Sequence, residues 1–342
     1  MSIPKTTIII GAGANKEINE GSGLGFDLIQ GISERVTDRT SKGKGYLSKA
    51  FQILPHLNDH SVRESFLRHL DLFRFDNNHS LDAFIYEVEN FPEYQPYREN
   101  FKDIARILTF AHVLGWEGHR IPDSHGRYGA TFKNILNEVS KKRQKTWFSE
   151  LASFISDKNL FNSDDLMIIT FNYDRILEVF LLTFFNSNNE IKNFINNNII
   201  HVYGRIGCLP ELKPKNLTLN GTRQLEKEIE FGYDNGEFKK ISEVRDNIYF
   251  IHDDISDRDV KNVMRKAEKL LVFGYGFDSL NNKRLLLGNS FIAAKSAFNI
   301  YGGTITQRRK TVQYVRDFAR KANLKFLPPV EFVKWGLHEM AI

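Results

Sequence analysis

Cysteine is almost missing from this chain. One residue, Cys208, stands among 342, so no disulfide can close within the chain and no four-cysteine zinc site can be built from it. Other metal-binding patterns are missing too. There is no H-E-x-x-H and no C-x-x-C, and His119, His125 and His201 share no ligand spacing, so a site without a metal is expected. No uninterrupted apolar stretch reaches the roughly 18–20 residues that span a bilayer. The five-residue run after Lys5 is too short for the apolar region of a signal peptide. A cytoplasmic protein without membrane contact is therefore expected. Charge of one sign is in small excess, at +5. Lys141-Lys142-Arg143 and Arg308-Arg309-Lys310 read as solvated helix faces or as steering for an anionic nucleotide, and direct nucleic-acid binding is not expected. No internal repeat is present.

Against these absences stand 41% hydrophobic and 26% charged residues, the balance of a globular protein. The length suits one large α/β domain with insertions or two modest domains, and a single domain, residues 1–342, is expected. Its first ordered stretch runs Thr6-Thr7-Ile8-Ile9-Ile10-Gly11-Ala12-Gly13-Ala14-Asn15, a β-branched strand entering a glycine turn. Glycines there let a backbone turn tightly and let a diphosphate approach its N–H groups. The full G-x-G-x-x-G spacing is absent, because Lys16 stands where the third glycine would fall. A second glycine-rich loop, Gly21 to Gly25, leads into a helical pattern through Phe26, Ile29, Ile32 and Val36.

From Tyr46 to Phe161 the pattern is helical almost throughout, and this stretch, 46–161, reads as an insertion rather than a domain. Phe101, Ile104, Ile107 and Leu108 make an apolar stripe, with Asn100 placed to cap it. Further helices are expected after Ser80 and at Trp147, with a loop between Trp116 and Tyr128. Strand patterns return at Leu166–Thr170, Ile199–Tyr203, Leu270–Phe273 and Phe298–Tyr301. A short hairpin is expected around Gly232 and Gly236, a helix over 258–268 and a basic helix over 307–322. Strands alternating with helices predict a doubly wound, Rossmann-like parallel sheet carrying a helical insertion. Its ligand would sit at the C-terminal strand ends, where the polar and glycine residues cluster.

Asn172 and His201 both fall at such ends. An imidazole accepts a proton near neutral pH, and an amide holds a water or a sugar hydroxyl. Each has a plain structural alternative: Asn172 as a helix cap, His201 as a satisfied core histidine. Asp174 is open between capping the next helix and touching a ligand.

Taken in order, these segments resemble the sirtuin-like family. Gly11-Ala12-Gly13-Ala14-Asn15 is similar to its G-A-G-x-S turn, with Asn15 in the serine's place. Thr170-Phe171-Asn172-Tyr173-Asp174 is similar to its T-x-N-x-D element, and His201-Val202-Tyr203-Gly204 to the segment holding its catalytic histidine. Gly274-Tyr275-Gly276-Phe277 resembles its later glycine turn, and Ser80–Phe84 resembles an element of its bacterial defence members. The lack of cysteines separates the chain from the zinc-containing deacylases. The resemblance implies an anti-phage effector that hydrolyses NAD to ADP-ribose and nicotinamide. It places Asn172, His201 and Asp174 at the reaction, and Gly11, Ala12, Gly13, Ala14, Asn15, Thr170, Gly274, Tyr275 and Gly276 on the nucleotide. It also implies self-assembly or a partner such as an ATPase or an Argonaute-like protein. A transferase or deacylase, or a silent NAD- or ADP-ribose-binding module, are the alternatives.

Overall fold

The computed structural model describes residues 5–17, 59–75, 81–117, 120–122, 128–131, 136–137, 145–219, 222–231, 247–250, 258–276, 279–287, 295–299, 309, 312–313, 315–316 and 323–340. The loop at Gly21–Gly25 with its helix, the hairpin around Gly232 and Gly236, and most of the basic helix lie outside these residues.

In chain order the strands are β1 (Thr6–Ile10), β2 (Arg120–Pro122), β3 (Tyr128–Thr131), β4 (Leu166–Thr170), β5 (Ile199–His201), β6 (Asn216–Leu219), β7 (Thr222–Leu225), β8 (Lys269–Phe273), β9 (Lys295–Asn299) and β10 (Asn323–Lys325). The helices are α1 (His60–Phe75), α2 (Leu81–Asn90), α3 (Arg98–Glu117), α4 (Trp147–Asp157), α5 (Ile176–Phe184), α6 (Asn189–Asn198), α7 (Arg258–Lys266), α8 (Ser279–Arg284) and α9 (Pro329–Lys334). Asn100 lies inside α3 and does not cap it, because the helix begins two residues earlier, at Arg98. The expected loop from 116 to 128 is in part a strand, β2, which pairs antiparallel with β3.

Six strands form one sheet in the order β10-β9-β8-β1-β4-β5, and every pairing in it is parallel. Numbered by their order in the chain, that is the doubly wound 3-2-1-4-5-6 arrangement, so the expected Rossmann-like α/β fold is present. β1 and β8 are buried at every position, as strands covered on both faces must be. Alternate residues feed opposite layers. Ile8, Ile10, Ile168, Leu271 and Phe273 pack under α4, α5, α6 and α9. Ile9, Ile169, Leu270, Val272 and Phe298 pack on the other side with Val260 and Met264 of α7. The fifth strand starts earlier than expected, at Lys295, and a sixth, β10, joins the edge.

The inserted helices have a core of their own. Phe66, Phe84 and Phe101 meet edge to face at 5.8 and 5.4 Å, and Ile206, Ile229, Ile248 and Phe250 complete the cluster. These aromatics are packed against one another and do not form an open face. The last helix of the 46–161 stretch behaves differently. Trp147 of α4 is buried in the sheet's own core, 5.0 Å from the Phe273 ring, so α4 belongs to the sheet layer. No described helix is long and apolar enough to cross a membrane.

Candidate active site

Register brings the site together. Ile10 pairs with Thr170 and Phe273, and Thr170 pairs with His201, so these four residues form one row across the C-terminal edge of the sheet. β4 stops there because Thr170 turns its hydroxyl back to accept a hydrogen bond from the Asn172 N–H at 3.1 Å. That turn hands the chain to α5. The carboxylate of Asp174 caps the new helix, accepting from the Ile176 N–H at 3.2 Å.

A small cleft opens between these ends, lined by Ile10, Asn15, Trp147, Thr170, Asn172, Asp174, Leu177, Glu178 and His201. Measured at the centre of a water molecule, its free space is about 10 Å³, enough for one water. Asn15 reaches into it from the glycine turn and donates from Nδ2 to Asp174 Oδ2 at 3.0 Å. The wall behind is Trp147, whose indole Nε1 donates to the Ala14 carbonyl at 2.9 Å.

Five expected residues, Asn15, Thr170, Asn172, Asp174 and His201, line this cleft. Asn172 is not a cap: its Oδ1 is buried with no hydrogen-bond partner. An unpaired buried acceptor costs about 1–3 kcal/mol. Asp174 both caps α5 and lines the cleft. Burial and the neighbouring Glu117 push its carboxyl up to about 7. His201 is held at both ring nitrogens, with Nδ1 2.9 Å from the Asn172 carbonyl oxygen and Nε2 2.7 Å from Glu178 Oε1.

Glu178 was missed by the sequence reading. It sits in α5 as the only acid among Ile176, Leu177, Val179, Phe180, Leu181 and Leu182, and a single carboxylate in such a run was the available signal. Burial opposes its charge, but His201 and Arg205 outweigh that and hold its carboxyl down at about 2. Arg205 Nη1 donates to Glu178 Oε1 at 3.1 Å, while its Nε and Nη2 grip Glu226 at 2.6 and 2.9 Å. A second buried pair lies next to the turn between β4 and α5. Arg175 donates from Nη2 to Glu117 Oε2 at 2.7 Å and from its backbone N–H to Glu117 Oε1 at 2.9 Å, both side chains being fully buried. Glu117 is the last residue of α3, so this pair ties the inserted helices to the turn carrying Asn172 and Asp174.

The glycine turns border the cleft without lining it. Gly11, Ala12, Gly13, Ala14, Gly274, Tyr275 and Gly276 are not among the lining residues. Gly11 N–H donates to the Phe273 carbonyl, Gly13 N–H to that of Gly274, and Ala14 N–H to that of Gly11. Three N–H groups expected to face a diphosphate are therefore already bonded within the protein. A Cβ on Gly11 would come 2.2 Å from the Gly274 oxygen, and one on Gly274, where φ is +64°, 2.2 Å from the Ala14 nitrogen. The two turns are glycine because they touch each other. Tyr275 points into the core, 5.1 Å from the Phe171 ring and bonded to Asn282. Gly276 has open space around it.

Among the described residues no group of three His, Cys, Asp or Glu side chains is arranged to hold a metal ion; His119 and His125 lie outside them. No protein-family model matches this chain. No curated protein matches it significantly either.

Proposed function

We propose that this chain is an NAD hydrolase that releases nicotinamide and ADP-ribose, acting as a cytoplasmic effector of anti-phage defence. The observation that carries this reading is the buried, unpartnered Oδ1 of Asn172 in a cleft shared with His201 and Asp174. A protein keeps an unsatisfied acceptor where a ligand supplies the donor, and a ribose hydroxyl or the attacking water is such a donor. Nicotinamide leaves NAD as a neutral base, so the barrier lies in forming an oxocarbenium-like sugar, and no strong acid is needed. Asn172 holds the sugar and the water in line. His201 accepts the proton as the water attacks. Asp174, titrating at about 7, presents a partly ionised carboxylate to the developing positive charge.

On this reading the chain is restrained at rest and is switched on by assembly with itself or with an ATPase or Argonaute-like partner. Nicotinamide release from NAD with no added acceptor, followed across protein concentration and with proteins encoded nearby, tests the reading. Turnover that His201→Ala abolishes and that chelator leaves intact is expected. Turnover only in the presence of an acceptor protein would point to a transferase or deacylase, and binding without turnover to a silent module.

A further inference from the structure

His201 is clamped from two sides by acceptors of unequal strength. On Nε2 sits the buried carboxylate of Glu178, at 2.7 Å; on Nδ1 sits the backbone carbonyl of Asn172, at 2.9 Å. A neutral imidazole has one N–H and one lone pair, so only one of these contacts survives as a hydrogen bond when the ring is neutral. A hydrogen bond to an ionised partner is about twice as strong as one between neutral groups. The N–H therefore stays on Nε2, and the lone pair falls on Nδ1. Glu178 is fixed for this task from behind. Arg205 Nη1 holds the same Oε1, and Arg205 is itself locked by the two-point grip on Glu226. The side chains of Glu178, Arg205 and Glu226 are all at most 5% exposed.

On the reading of this cleft as an NAD-cleaving site, we propose that Glu178 is a positioning residue that fixes the Nε2–H tautomer of His201, making Nδ1 the nitrogen that accepts the proton. The proton transfer balances. A lone pair of the water oxygen forms the new C–O bond as the C–N bond breaks and its electron pair leaves with neutral nicotinamide. The water O–H bond breaks with its pair staying on oxygen, and the proton forms a new N–H bond at Nδ1. The ring becomes an imidazolium whose Nε2–H remains on Glu178, and that carboxylate offsets the new charge. In the resting cleft Nδ1 faces the Asn172 carbonyl, so ligand entry has to part the His201 ring from the Asn172 peptide before the ring can work. The orienting carboxylate, the imidazole and the reacting oxygen then stand in the relation that a buried acid, histidine and nucleophile take in hydrolytic triads. The other charged groups near the ring are Asp174, from the turn after β4, and Arg205, from the stretch after β5.

The test uses the full chain with ¹⁵N-labelled histidine, and NMR to locate the proton on the neutral His201 ring in the absence of NAD. Nε2 protonated and Nδ1 bare is expected in the wild-type protein. A neutral ring protonated at Nδ1, or a ring still protonated at both nitrogens at neutral pH, would overturn the proposal with no variant needed. Glu178→Gln keeps the shape and removes the charge. It should mix the two tautomers and lower kcat with KM unchanged, by up to about 10⁴-fold if the ring depends on its orienting carboxylate as in hydrolytic triads. Unchanged kcat and an unchanged ring spectrum in that variant would equally overturn it. If the wild-type chain shows the Nε2–H ring but never releases nicotinamide, the hydrolase reading fails and the role of Glu178 in orienting His201 stands.

Discussion

On its β8 flank, β1 ends in backbone against backbone; on its β4 flank it ends in side chains facing a cleft. Both flanks lie at the C-terminal edge of one parallel sheet, and both carry motifs that catch the eye in the sequence. Their glycine and polar residues nevertheless do different work. Gly11, Gly13 and Gly274 let two turns close on each other at distances no Cβ tolerates. Asn15, Asn172, Asp174, Glu178 and His201 surround a space only one water wide. A glycine after a strand reports close approach, and what approaches can be protein as easily as phosphate. A buried amide oxygen with no partner is the sharper sign of chemistry.

Substitutions on the two flanks should therefore fail in opposite ways. The largest effect is expected on the glycine flank. Gly274→Ala combines a left-handed backbone with a 2.2 Å clash on rigid main chain, at a cost of about 3–5 kcal/mol; thermal denaturation should show a large loss of stability. On the cleft flank, Asn172→Ala should lower NAD turnover about 100-fold or more. Its melting temperature should hardly change, because the lost acceptor had no partner to strand. A destabilised Asn172→Ala and a stable Gly274→Ala would reverse the contrast.

A smaller, pH-dependent effect is expected at Asp174. Its folded carboxyl titrates at about 7, above the ordinary 3.8, so its favourable contribution is full below pH 3.8 and lost as pH rises through 7. Glu178, held at about 2, has the opposite sign: its contribution is present above pH 4.5 and lost as pH falls towards 2. Asp174→Asn should therefore gain in melting temperature relative to wild type as pH is raised from 4 to 7, and a gap that stays constant would contradict the raised carboxyl. The smallest effect belongs to Gly276→Ala. With nothing within 4 Å of the added methyl, stability should stay within about 0.5 kcal/mol.

Strand ends were legible where apolar β-branched residues stop at polar ones, and β1 and β4 fall on the residues so read. β10 was not legible, since Asn323-Leu324-Lys325 offers one apolar residue in three. The extent of α3 was misread because Arg98 and Glu99 begin the helix without a capping side chain to announce it. In the cleft, Asn172, Asp174 and His201 could be found by their place after strands. Glu178 left only the faint signal of one acid in an apolar run, and the roles of Glu178 and Arg205 were not legible, because their partners lie 23 and 21 residues away in the chain and only the fold brings them together. The roles given to the glycines depend on donors whose occupancy no sequence displays.

The buried pair of Glu117 and Arg175 bears on how divisible this protein is. An inserted layer with its own core invites removal, by trimming the chain or by grafting the sheet onto another scaffold. Removing the Glu117 carboxylate alone would leave the fully buried Arg175 guanidinium without its counter-charge, a situation that costs about 3–5 kcal/mol. It would also take away the nearby charge that helps raise Asp174. The Glu117–Arg175 pair thus joins α3 to the turn after β4 in one buried contact.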